Sequence, residues 1–262
     1  MLPRRILVSS LKAFAIVCVL ATGWCINAPM EAKAASNISC RSGLTTERRK
    51  EIAQKLRVIT GWTDLDFDSF GRLVTGRAES AASSITARKL IGALLESNHR
   101  IILEESNERP DVAFAQVSVA DLKLTDDEPP VHVNIVTIDF ADFRHLHGHP
   151  QAIASFDVAW VLLHEFDHIL NNSADGMTVE DPGECEAHIN RMREECKLPT
   201  RTRYFYTSLP LTTHTSFATN WVRLAFDEIE SPGIRRRYWL VWDANLVGGS
   251  TYSTQLASVS YR

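Results

Sequence analysis

Apolar residues recur along this chain with two different periods, and the changes of period outline its elements. Ile52, Leu56 and Ile59 return every three or four positions between Thr45-Thr46 and Gly61, which predicts a first amphipathic helix that ends at the glycine. Ser80 to Leu95, rich in Ala, Leu and Ile, predicts a second helix, while Trp62 to Val74 between them shows no clean period. Then the period shortens. Ile101-Ile102-Leu103 and Val112 to Val119 are strand candidates, and Val131, Val133, Ile135 and Thr137 alternate with His132, Asn134, Val136 and Ile138 as a firmer one. Asp126-Asp127-Glu128-Pro129-Pro130 reads as the turn or exposed loop between strands. From Pro150 the pattern is that of a long helix reaching about Leu170, so apolar at Trp160-Val161-Leu162-Leu163 that little of its circumference faces water. A further helix, Glu184 to Cys196, carries the stripe Cys185, Ile189, Met192 and Cys196 and stops at Leu198-Pro199. Phe217 to Ile229 predicts a last helix and Tyr238-Trp239-Leu240-Val241-Trp242 a strand; Gly248-Gly249 and the Ser/Thr-rich end read as peripheral. These elements predict an α+β fold: a small mixed sheet packed on a long helix, followed by a mainly helical C-terminal part. No internal repeat or low-complexity tract interrupts it.

The start of the chain follows another logic. Arg4 and Arg5 precede an apolar run from Leu11 to Ile26, broken by Lys12, and Ala32-Lys33-Ala34-Ala35 follows. The uninterrupted core is roughly 14 residues, short of the ~18 to 20 that span a bilayer, so residues 1–35 read as a secretory signal peptide and 36–262 as one domain. Its removal takes away four basic residues against Glu31, leaving a remainder more acidic than the −4 of the whole chain. Such a charge gives no footprint for nucleic acid, nor for stable membrane association after cleavage. The expected location is secreted or periplasmic, which permits disulfides. Cys185 and Cys196, 11 residues apart on one helix, would stand roughly 16 Å apart, so a bond from Cys40 to one of them is the better pairing.

Chemistry concentrates in the long helix, at His164-Glu165-Phe166-Asp167-His168. Helical residues four apart lie one turn above each other, so both imidazoles can address one ion while Glu165 is placed to act on water. Burying these groups alone would be costly, and a divalent ion offsets that cost by taking the imidazole lone pairs. The plainer alternative is a histidine pair satisfied by Glu165 or Asp167. A catalytic zinc keeps three protein ligands and one open position, so a third ligand is needed. Glycine and histidine three and six residues beyond His168 would mark a metzincin, but Asn171 and Ala174 stand there. Glu184 and Glu186 on the following helix are the candidates.

Here the chain resembles the glutamate-liganded zincin metallopeptidases, whose second helix carries Glu-x-x-x-Asp. The resemblance rests on the His-Glu-x-x-His motif and on Glu186 with Asn190, where Asn stands in place of the family's Asp. It implies a zincin-like fold with zinc held by His164, His168 and Glu186, Glu184 being the alternative third ligand. Asn190 and His188 would support the ligands. Glu165 would take the proton of the attacking water, and Tyr204, Tyr206 and His214 are the available oxyanion donors.

Three other features read as ordinary surface. His145, His147 and His149 crowd a loop without a carboxylate or cysteine partner at ligand spacing. Asp175, Glu180 and Asp181 lack calcium-loop spacing and read as a solvated loop, and the sequon Asn171-Asn172-Ser173 lies too close to the motif for a sugar. The function that follows is an exported zinc-dependent metallopeptidase acting on a protein or peptide. The alternatives are a non-catalytic zinc-binding interaction module on the same scaffold, or an effector or toxin peptidase of narrow specificity.

Overall fold

The computed structural model describes residues 36–80, 83–106, 108–123, 129–178, 180–209, 220–231 and 233–249. The leader segment, residues 124–128 of the acidic turn, His214 and the Ser/Thr-rich end lie outside them. The first half of the chain runs β1 (Ile38–Cys40), α1 (Thr46–Thr60), β2 (Asp66–Phe67), β3 (Leu73–Val74), α2 (Ile85–Glu96), β4 (Ile101–Ser106), β5 (Ala115–Leu122) and β6 (Val131–Asp139). The second half runs α3 (Phe140–Arg144), β7 (His147–Gly148), α4 (Pro150–Ala154), α5 (Val158–Asn171), α6 (Gly183–Glu195), β8 (Thr200–Arg201), β9 (Thr207–Ser208), β10 (Trp221–Ser231) and β11 (Ile234–Asp243).

The described strands form two larger sheets and the two-stranded pair β2-β3, in a mixed arrangement of the α+β kind. The first has the order β1-β4-β6-β5, with β1, β4 and β6 parallel and β5 antiparallel at the edge. β6 becomes buried on both faces toward its end, as a central strand under helices must. α1, α2, α5 and α6 share its core, in which Ile52, Leu56, Leu90, Leu103, Leu162 and Ile189 are buried. Each such side chain contributes roughly 1.5–3 kcal/mol of burial. The second sheet is antiparallel, in the order β7-β11-β10-β8 with β9 also on β10.

That second sheet corrects the expectation for the C-terminal part. Beyond α6 the described residues contain strands and no helix, and Trp221–Ser231, which overlaps the predicted helix 217–229, is a strand. Val222, Leu224 and Phe226 alternate inward and face Trp242, Leu240 and Tyr238 across the ladder. A period of two was present there, masked by helix-favouring Ala, Leu and Glu.

The helices at the motif are also more divided than expected. Pro150 opens α4, which closes at Ser155, and Asp157 caps a fresh helix by accepting hydrogen bonds from the amides of Ala159 (2.9 Å) and Trp160 (3.3 Å). So the motif helix starts at Val158. α5 ends at Asn172, whose left-handed φ of 52° turns the chain back toward α6. Cys40, Cys185 and Cys196 are free thiols, which replaces the expected bond from Cys40. No helix of the described residues is long and apolar enough to cross a membrane.

Candidate metal centre

The apolar face of α5 is locked into the first core by Leu162, Leu163 and Phe166, all fully buried, and this fixes the direction of His164 and His168. Their Nε2 atoms stand 3.1 Å apart. Asp175 completes the group, its Oδ1 lying 3.1 Å from His164 Nε2 and 3.3 Å from His168 Nε2. The other imidazole edges are already committed. His168 Nδ1 donates to the Ser173 carbonyl (2.7 Å), and His164 Nδ1 faces Cys185 Sγ at 3.3 Å and Glu186 Oε2 at 3.6 Å. With both Nδ1 atoms protonated, two lone pairs and a carboxylate oxygen converge on one point.

Three acceptors so placed require positive charge. Separations of 3.1 to 3.3 Å match the edges of a tetrahedron with ligand distances of ~2.0–2.1 Å, the zinc range. The cluster His164, His168, Asp175 and Cys185 can therefore hold a metal ion. Without one, a proton is the substitute: the bond to Asp175 lifts His168 to about 9. Burial works to raise the Asp175 carboxyl, but hydrogen bonds from His164 and His168 outweigh it and hold the group well below the usual carboxylate range.

Asp175 was passed over in the sequence because it lies in a loop. The left-handed turn at Asn172 starts the reversal, and Asp175 then bridges to Gly183. Gly183 has φ +82°, and a Cβ there would collide with the backbone of Gly176, so only glycine lets the strands of the loop approach this closely. An acid placed between such a turn and a glycine was the available signal. Glu180 pairs instead with Arg203 (3.0 Å), and the Asp181 carboxylate accepts from the Gly183 amide (2.9 Å), so the three acids of the loop do not converge.

Glu186, expected as the third ligand, lies on the other edge of the His164 ring. Its carboxylate is buried and accepts from Arg193 and from Arg201 Nη1 (2.9 Å). Burial raises this carboxyl, but the two guanidiniums more than compensate and hold it ionised. Glu184, the alternative ligand, is exposed on α6. Asn190 supports the arginines rather than a histidine ligand, accepting from Arg193 Nη1 and the Arg201 amide, both at 2.8 Å. His188 meets Asp167, inside the motif, at 3.0 Å.

No match was found among protein-family models, curated proteins or solved structures. The chemistry therefore rests on the geometry.

Glu165 is 8% exposed and burial raises its carboxyl. It lines two cavities. One is bordered by Ala115, Gln116 and Val117 of β5 together with His168 and Asp175. The other has aromatic walls and also contains His164 and Tyr204. The Tyr204 hydroxyl donates to Asp175 Oδ2 (2.8 Å), and its ring lies parallel to His164 with centroids 6.1 Å apart. Tyr206 packs instead on Trp242, with centroids 5.2 Å apart.

Proposed function

We propose that the chain is a zinc-dependent metallopeptidase of the zincin kind, with His164, His168 and Asp175 as ligands and Glu165 as general base. The observation that carries this reading is the convergence of three lone-pair donors beside a buried carboxylate that opens onto cavities. Bound zinc supplies a Lewis acid and lowers the pKa of a water in its shell toward ~7. Everything else is the work of side chains and backbone. Glu165, raised by burial, is suited to accept a proton from water and return it to a leaving amine. Tyr204 orients Asp175 in the free protein and offers a hydroxyl for an oxyanion.

The substrate class follows from β5. This edge strand pairs only with β6 among the described strands, and its Val117 amide is directed at the Glu165 carboxylate. An extended peptide laid along that edge is held by main-chain hydrogen bonds, which bring its carbonyl groups past Glu165. Zinc content and peptide cleavage are to be measured for wild type and Glu165→Gln. We expect equal zinc in both and cleavage lowered about 10²–10⁴-fold in the variant. Equal cleavage would remove the catalytic role, and a folded protein that takes up no zinc would falsify the site.

One observation favours a second reading, a closed zinc site in an interaction module: Cys185 Sγ is near enough to serve as a fourth donor. Its position on the Nδ1 edge of His164 favours the open site. Cobalt substitution separates the two. A thiolate charge-transfer band marks the closed site, and its absence the open one.

A further inference from the structure

The aromatic-walled cavity beside Glu165 ends in charge. Its volume is about 130 Å3, near the ~150 Å3 that admits a benzene-sized guest in a protein interior. Phe114, Phe156, Val161, Leu224 and Trp242 provide apolar wall, and the most buried charged lining groups are Glu186 and Arg193, 1% and 2% exposed. Arg201 lines it as well.

Arg193 and Arg201 share the Glu186 carboxylate, so what distinguishes them is how many of their other donors are met. Arg201 is spent: Nε donates to the Arg203 carbonyl (3.0 Å), Nη1 to Glu186 (2.9 Å) and Nη2 to the Tyr204 carbonyl. Arg193 is not. Its Nε donates to the Ser155 carbonyl (2.9 Å) and its Nη1 to Glu186 and Asn190, while Nη2 has no acceptor among the described residues. The rings of Trp160 and Phe226 lie near this guanidinium, with centroids 5.4 and 5.6 Å from its carbon. A charged donor lining a mostly apolar cavity is best satisfied by an anionic acceptor.

We propose that this cavity recognises a carboxylate carried on an apolar stem, with Arg193 as the group that reads it. That the guest is part of a substrate rests on the metallopeptidase reading. That the cavity prefers a carboxylate rests on the cavity alone. An acidic side chain of a peptide and the carboxylate at a peptide's end both present this chemistry.

The probes are 3-phenylpropionate and 3-phenylpropionamide, titrated into the full chain by calorimetry, once with zinc and once with zinc chelated. The carboxylate is expected to bind about tenfold more tightly than the amide in both states. Equal affinities, or a preference that vanishes with the zinc, overturn the proposal. Arg193→Gln should erase the preference and Glu186→Gln should widen it. If Arg193→Gln fails to fold, Glu186→Gln and the wild-type comparison still decide.

Peptide pairs identify the source of the carboxylate. Faster cleavage of Glu over Gln peptides assigns a side chain, and faster cleavage of free-acid over amidated peptides assigns a chain end. Equal rates in both pairs overturn the substrate role. If no peptide is cleaved while the acid preference persists, the cavity assignment stands and the peptidase reading falls.

Discussion

At the scale of single residues, Asp175 against Glu186 is the decisive comparison. Replacing Asp175 by Ala removes one of three converging donors, so zinc affinity should drop by well over the ~10–100-fold typical of losing an outer-shell partner. Glu186→Gln should bind zinc at full stoichiometry, because its carboxylate faces the far edge of His164. Competition with a chromophoric chelator measures both, and the reverse order of effects would return Glu186 to the ligand set. His164, Glu165 and His168 were legible in the sequence because helical spacing alone sets their relation. Asp175 was not, since its place depends on a left-handed asparagine and a close glycine approach, which carry no periodicity. A second residue supplies a pH test. Burial, aided by neighbouring Asp139, lifts Asp142 to about 7, although its carboxylate accepts from the Phe114 amide (2.8 Å). Because the folded value exceeds the unfolded one, the stability from this group is full below about 3.8 and is lost as pH rises through about 7. Asp142→Asn should therefore flatten the fall in Tm between those limits, and an unchanged slope would show that the carboxyl is ionised throughout.

At the scale of elements, the stretches read as strands overlap β4, β5, β6 and β11, and three of the helices were as legible. α1, α2 and α6 fall close to the predicted spans because each has a long apolar stripe of period 3.6 and a recognisable start or stop. The predicted helix from Pro150 was one element too long, because an interior aspartate was not recognised as a new cap. Asp157→Ala should cost about 1 kcal/mol through the lost cap, with the ion pair to Lys55 (2.9 Å) adding little at this half-exposed site. Urea unfolding measures it, and a change close to zero would mean that α5 is held by its core contacts alone. The misread strand β10 has a different cause. Its inward residues Val222, Leu224 and Phe226 are satisfied by a partner strand, and pairing between strands is set by the fold rather than by local propensity.

For the whole molecule, the centre joins pieces that packing alone holds loosely. Two of the three converging donors stand on a helix locked into the core, and the third stands in the stretch 172–182, in which most of the described residues are exposed. An ion shared between them acts as a cross-link across that loop. Zinc at 100 times its Kd should stabilise the fold by ~2.7 kcal/mol, read as a higher Tm that a chelator reverses. The same link has a consequence for the lifetime of the chain. On the proposed function, a bound ion ties the loop down at Asp175, and its loss leaves the exposed segment around Met177 open to any protease nearby. Brief proteinase K digestion should nick the zinc-depleted protein in this loop and spare the loaded one. In a metal-poor surrounding, the emptied protein would then be the first to be cleared.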